Sequence, residues 1–293
     1  MTISDAFGPD FLPPLLAGIA LTAACALLSV VIVLKRLAFI GQGITHAGFG
    51  GVGLAAFIAA SGWWRDLTIF LFCIGTAIVI ALLGRSRKVM IDTAIGILLV
   101  ATMGIGFLLD QMRIHLRGEE WYRALTGGRI TPPTQWDAVL FGNILFLRGQ
   151  DVWLAVGCAL LVALTLALLY KEIVFFAFDE TVSRVFGVRT ALLHYLLLIM
   201  IAAIIVLCMK LLGLILVNAL LIIPGAAALL VSRRLSTVLM TSVILGEVGM
   251  IGGYLAAFGV WGGRLPVGPI VVLILALLFA AAIAFNRLRS ARA

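Results

Sequence analysis

Long uncharged runs, broken by short polar clusters, give the chain its pattern. A membrane-spanning helix needs about 20 predominantly apolar residues. Nine stretches approach that length: Phe11–Leu34, Ala38–Ala60, Leu67–Leu83, Ile91–Leu109, Val152–Tyr170, Ala191–Met209, Leu211–Val231, Val238–Val260 and Gly268–Phe285. The sixth and seventh are separated by little more than Lys210. The pattern predicts an all-α fold, a polytopic transmembrane helical bundle of about nine spans forming one domain over residues 1–293. Two connections are long enough to hold structure of their own. Residues 111–150 are rich in Gly, Pro, Arg and Trp and suit a small cap or a docking surface. Residues 171–190 carry a helical signature: Asp179 as N-cap, Val182, Val185 and Phe186 on one face, and Gly187 where a helix stops. That short amphipathic helix has two readings, one lying in the bilayer interface and one docking into another protein.

Composition strengthens the membrane assignment. With 63% hydrophobic residues, 12% charged residues and a mean hydropathy of +1.23, the chain lies far outside the soluble range. The net charge of +8 and pI near 9.9 do not indicate nucleic acid, because most basic residues fall in clusters between apolar runs. Thirteen Lys and Arg lie in one set of alternate connections, Lys35 and Arg36 among them, and eight in the other. The positive-inside rule puts the first set in the cytoplasm, with the amino terminus outside and the carboxyl terminus inside. Met1–Pro14 holds Asp5 and Asp10 but no Lys or Arg, so it lacks the basic start of a signal peptide, and the first run is expected to remain. Cys25, Cys73, Cys158 and Cys208 stand singly inside apolar runs and read as packing residues.

The chemistry available inside the bilayer is sparse. There is no phosphate loop of the form G-x-x-x-x-G-K-[ST], and no H-E-x-x-H helix or serine-nucleophile context, so neither ATP binding nor proteolysis is expected of this chain. Gln42 and His46 lie four residues apart and share a helical face, beside a small-residue stripe of Gly43, Ala47, Gly51 and Ala55. His46 is the leading candidate to meet a metal ion, since neutral imidazole is a common ligand; the alternative is a hydrogen bond to a neighbouring helix. Glu247, beside Gly246, Gly249 and Gly252, is either a source of charge on the path or a protonated or Arg-paired structural residue. Asn218 and Pro224 interrupt the seventh run, and Pro224 is expected to free the carbonyl of Leu220 and break the helix. Asp92 suits the start of its helix. His194 is expected to cap or snorkel, and His115 with Glu119 forms a loop face or a capture pair.

Six segments carry a family resemblance. KRLAFIGQGITHAGFGGVGLA from Lys35, IDTAIGILL from Ile91, LFGNIL from Leu140, FDETVSRVFGV from Phe178, LLGLILVNALLIIPGAAALL from Leu211 and LPVGPIVVL from Leu265 follow one another as in the zinc and manganese ABC transporter permeases. Residues 113–135 look like an insertion. The resemblance implies an inner-membrane permease subunit, not itself an enzyme, working as a homodimer. It implies two cytoplasmic ATPase subunits, a metal-binding protein outside, and a transported divalent metal, with zinc favoured over manganese or iron, in place of a resident cofactor. It also implies that Asp179 to Gly187 resembles the coupling helix that docks on the ATPase. Family members commonly carry an Asp where Gln42 stands, so this chain keeps only an amide oxygen there. A gradient-driven carrier and an iron-chelate permease stand as alternatives.

Overall fold

A computed structural model describes residues 12–85, 90–129, 134–142, 149–259 and 265–290. Among them every regular element is helical: α1 (Leu12–Leu34), α2 (Ala38–Phe57), α3 (Trp63–Arg85), α4 (Ile91–His115), α5 (Glu120–Thr126), α6 (Trp136–Phe141), α7 (Gly149–Leu168), α8 (Tyr170–Phe178), α9 (Glu180–Val185), α10 (Thr190–Leu212), α11 (Leu214–Leu220), α12 (Ile223–Val231), α13 (Leu235–Gly259) and α14 (Val267–Ser290). Most of Met1–Pro14, the cations Arg87, Lys88, Arg148, Arg264 and Arg292, and the end of the LFGNIL segment lie outside the described residues.

Seven spans pass by length and apolarity, α11 and α12 together making one, and α7 with α8 adds an eighth if the pair, bent by 74°, counts as one. The ninth expected span is α2. It is long enough, but its glycines, Gln42 and His46 dilute its hydropathy. The physical reason is its position: α3, α4, α10 and α11 pack around α2, so most of its surface meets protein and needs no lipid-facing apolar coat. The rest of the bundle is built around α1, which packs on α7, α12 and α13, with α14 closing against α12 and α13.

Glycine sets the closest approaches. A Cβ on Gly53 would strike the backbone of Gly106, so α2 and α4 cross backbone to backbone. The expected stripe on α2 faces both neighbours: a Cβ on Gly43 would stand 3.1 Å from Ile80 of α3 and 3.1 Å from Ile95 of α4, and one on Gly51 would stand 2.9 Å from the backbone of Ile69 of α3. Gly142 and Gly213, with φ of 71° and 83°, bring the ends of α6 and α10 into backbone contact, a conformation and spacing that a side chain would prevent.

The segment 171–190 is more helical than its sequence suggests, because α8 continues through Phe178. Asp179 then interrupts the chain and caps α9, its Oδ1 accepting from the backbone N–H of Thr181 at 2.8 Å and of Val182 at 3.0 Å. Such a cap is worth about 1 kcal/mol. Gly187, at φ 81°, ends the element. The chain runs antiparallel through α2, α3 and α4, so α9 lies with the start of α2 at one end of the bundle, and α5 and α6 lie at the other.

Candidate functional site

α2 places Gln42 and His46 on one face, both half-buried. Thr45 between them satisfies its hydroxyl by donating to the carbonyl of Gly41 at 2.8 Å. His46 has no such local solution: its Nδ1 is buried without a hydrogen-bond partner, and its ring stacks near Phe49 at 6.1 Å between centroids and 13° between planes. A buried polar atom without a partner costs free energy, so a site that keeps one is a place for a ligand to act.

Four more of the described residues share this condition, three of them on α1, α11 and α13. Asn218 Oδ1, both carboxylate oxygens of Glu247 and Thr22 Oγ1 are buried and unpartnered. Thr22 escaped the sequence reading because threonine in an apolar helix ordinarily bonds the carbonyl one turn back, as Thr45, Thr76 and Thr165 do. A Cβ on Gly246 would stand 3.2 Å from Thr22 Cγ2 and 3.8 Å from Pro224. Thr22, Pro224 and the neighbourhood of Glu247 therefore meet where α1, α12 and α13 join. Asn218 sits on α11, which packs on both α1 and α2. α11 ends at Leu220, and α12 opens at Ile223 with Pro224 in its first turn, so the span is interrupted at Leu221–Ile222. Among the described residues no three His, Cys, Asp or Glu are grouped to hold a metal ion. These unsatisfied polar groups lie on α1, α2, α11 and α13, in the bundle interior. Away from them, Glu172 Oε2 on α8 is also unpartnered.

At the α9 end, Val182, Val185 and Phe186 leave 42%, 81% and 73% of their surface exposed. Phe186 touches Phe175 of α8 at 5.9 Å between ring centroids. The face is apolar and uncovered in the single chain. Lys35, at the α1–α2 junction, clasps this region: its Nζ donates to Glu180 Oε2 at 3.1 Å and to the carbonyl of Phe176 at 3.1 Å, and stands 3.6 Å from the centre of the Phe176 ring.

The other end holds a network that the sequence reading missed. Arg113, counted there as a loop cation, belongs to α4 and is 1% exposed. Its Nε donates to Asp110 Oδ1 at 2.7 Å, and Asp110 also accepts from Thr134 Oγ1 at 2.7 Å and from Trp136 Nε1 at 3.2 Å. An Asp and an Arg three residues apart at the end of an apolar run were the available signal. His115 and Glu119 do not share a helical face, because α4 tightens into a 3-10 turn at Leu116–Gly118 and Glu119 is extended. Cys25 and Cys208, read as isolated, share a hydrogen bond of 3.8 Å between sulfurs across α1 and α10, both fully buried and both free thiols. His194 is half-buried on α10 and lines a cavity near Glu180 and Arg184. Asp92 lies in the first turn of α4.

Comparison with known proteins bears on this arrangement. The family model described as the ABC 3 transport family matches residues 10–286. The manganese transport system membrane protein MntC of Halalkalibacterium halodurans is 31% identical over 240 residues, covering 80% of this chain and 76% of that protein. The chelated iron transport system membrane protein YfeD of Yersinia pestis is 30% identical over 292 residues, covering 98% and 89%. PsaBC from Streptococcus pneumoniae, solved in complex with a Fab, shares the fold at a TM-score of 0.79 and 23% identity, covering 96% of this chain and 94% of that one.

Proposed function

Because the chain belongs to the ABC 3 transport family, we propose that it is the membrane permease, in a single domain, of an ATP-binding-cassette importer for a divalent metal ion. The observation that carries the reading is the set of buried, unpartnered polar groups on broken or glycine-lined helices, His46 Nδ1 among them. An imidazole nitrogen and an amide oxygen from Gln42, together with the oxygens of Asn218 and Glu247, offer a nitrogen and oxygen set that suits manganese. The relatives named above are manganese and chelated-iron systems, which moves the weight from zinc towards manganese. The cargo is substrate here, held in passing by few ligands and released.

In this reading α9 faces the cytoplasm and α5 and α6 face outward, in the inner membrane. The exposed Val185 and Phe186 dock on an ATPase subunit, a second copy of the chain completes the path, and a metal-binding protein delivers cargo at the outer end. Reconstitution of the permease with its ATPase and binding protein tests the proposal. Vesicles should accumulate manganese only with ATP, and a tenfold excess of zinc or of an iron chelate added as competitor ranks the cargoes. Accumulation that ignores ATP and follows an imposed ion gradient would overturn it.

A further inference from the structure

The α9 end of the bundle holds a cavity of about 240 Å³ that the transport reading does not use. Its floor is formed by the last two turns of α1, from Leu27 to Leu34, and one wall by Leu235 and Leu239 of α13. The other wall is the bend between α7 and α8, where Ala163, Ala167, Tyr170, Val174 and Ala177 recur at four-and-three spacing straight through the 74° turn. No proline or glycine lies between Cys158 and Phe186, so the bend at Leu169 is not imposed by a helix breaker. Every lining side chain is apolar except for the Tyr170 hydroxyl, and an apolar cavity gives water too few partners to stay. Ala167 and Tyr170 are exposed, so the cavity is open along α7 and α8.

The mouth of this trough is basic. Leu34 is the last residue of α1 and Leu235 the first of α13, so the cavity borders the helix ends, where spans meet water. Arg233 and Arg234 directly precede Leu235, and Lys171 directly follows Tyr170. All three are exposed, and among the described residues none of them forms an ion pair, with Glu172 or any other acid. From that rim the floor on α1 reaches about 10 Å into the bilayer. An apolar slot with unpaired cations at its mouth complements a molecule that joins a hydrocarbon chain to an anionic headgroup. We propose that the trough between α1, α7–α8 and α13 is a specific site for an anionic glycerophospholipid, with one acyl chain in the cavity and the phosphate against Arg233 and Arg234. The inference needs only the membrane fold; the transport reading adds that the leaflet is the cytoplasmic one, where anionic lipids draw basic residues to the surface. Because α8 leads directly into α9, a chain seated there braces the arm of the bend that carries Val185 and Phe186.

Photo-crosslinking tests the site on the full chain in phosphatidylcholine nanodiscs, without ATP or metal, so the result stands whichever way the transport experiment falls. The probes are phosphatidylglycerol and phosphatidylcholine carrying the same diazirine on one acyl chain, added at equal trace levels. Phosphatidylglycerol should label residues 27–34 and 163–177 more than about tenfold above phosphatidylcholine, and unlabelled phosphatidylglycerol should compete while inorganic phosphate should not. Arg233→Gln or Arg234→Gln alone should lower that labelling about fivefold, and the two together should bring it to the phosphatidylcholine level. Both substitutions lie in an exposed connection and leave the packing of the spans untouched. Ala167→Phe, at an exposed position of the wall, should fill the trough and remove labelling of residues 27–34 by either probe. Equal labelling by the two probes, labelling indifferent to both arginines, a crosslink to a second copy of the chain in place of lipid, or displacement by inorganic phosphate would each overturn the proposal.

Discussion

Replacing Phe186 with Asp addresses the α9 face directly. Full burial of a Val or Phe side chain stabilises by about 1.5–3 kcal/mol. Val185 and Phe186 still expose 81% and 73% of their surface, so most of that amount is open to a partner. Together they can contribute about 3–4 kcal/mol to docking, which is two to three orders of magnitude in affinity. A carboxylate in their place loses the contact and adds the cost of burying a charge. Val185→Asp with Phe186→Asp should therefore weaken ATPase binding more than about a hundredfold, and Phe186→Ala alone about tenfold. Insertion should survive, because α9 lies outside every span and its cap at Asp179 is untouched. The assay is titration of ATPase subunits onto permease held in nanodiscs, backed by copurification from membranes. A double variant that retains a full complement of ATPase would refute the docking role.

His46→Ala should reduce metal uptake strongly while assembly stays normal, since the imidazole is removed and the glycine contacts of α2 remain; unchanged uptake would place the cargo elsewhere. Gln42→Asp should restore a charged oxygen and slow metal release, and Glu247→Gln should be severe alone and partly rescued by Gln42→Asp, whereas additive effects in this cycle would make the two residues independent. For orientation, a cysteine at exposed Arg129 should react with an impermeant reagent from outside and one at exposed Arg189 should not; the converse pattern inverts the topology. Gly53→Leu should lower the thermal stability of the purified permease, by about 1–3 kcal/mol or more, because the new side chain enters the backbone contact with Gly106; an unshifted melting temperature would show that α2 and α4 can separate there.

The spans were legible because apolar length is a direct physical requirement of the bilayer, and α9 was legible because Asp179, the valines and Gly187 are local signals that act within one turn or two. Pro224 likewise announced a break within its own helix. What stayed hidden depends on contacts between distant segments. Arg113 reads as a loop cation until Asp110, Thr134 and Trp136 are folded around it, and Cys25 and Cys208 are 183 positions apart in the chain. Thr22 is ordinary in sequence and unusual only because its hydroxyl lacks the back-bond made elsewhere. The small-residue stripe on α2 correctly marked a close-packed helix, yet Gly53 against Gly106, the tightest approach to α4, lies off that stripe. The lack of partners shared by His46, Asn218 and Glu247 is a property that no residue pattern displays.

Lys35 joins the two ends of this reasoning. A displacement of α9 by an ATPase has to reach α2 if it is to alter the surroundings of His46, and along the chain the two are separated by α3 to α8. Lys35 offers a shorter route, because its ammonium holds Glu180 and the Phe176 carbonyl while its backbone forms the α1–α2 junction. The ion pair is partly solvated, with Lys35 13% and Glu180 46% exposed, and contributes about 0–1 kcal/mol; the ring contact adds about 0.5–2 kcal/mol. That is too little to hold the fold and enough to bias a moving joint. Lys35→Ala should accordingly leave ATPase binding and ATP hydrolysis in place while the metal moved per ATP falls severalfold. Lys35→Arg should keep the ratio, and the exchange of Lys35→Glu with Glu180→Lys should recover part of it. The measurement is simultaneous uptake and phosphate release in proteoliposomes, and a ratio unchanged by Lys35→Ala would mean that α9 reaches α2 by another path.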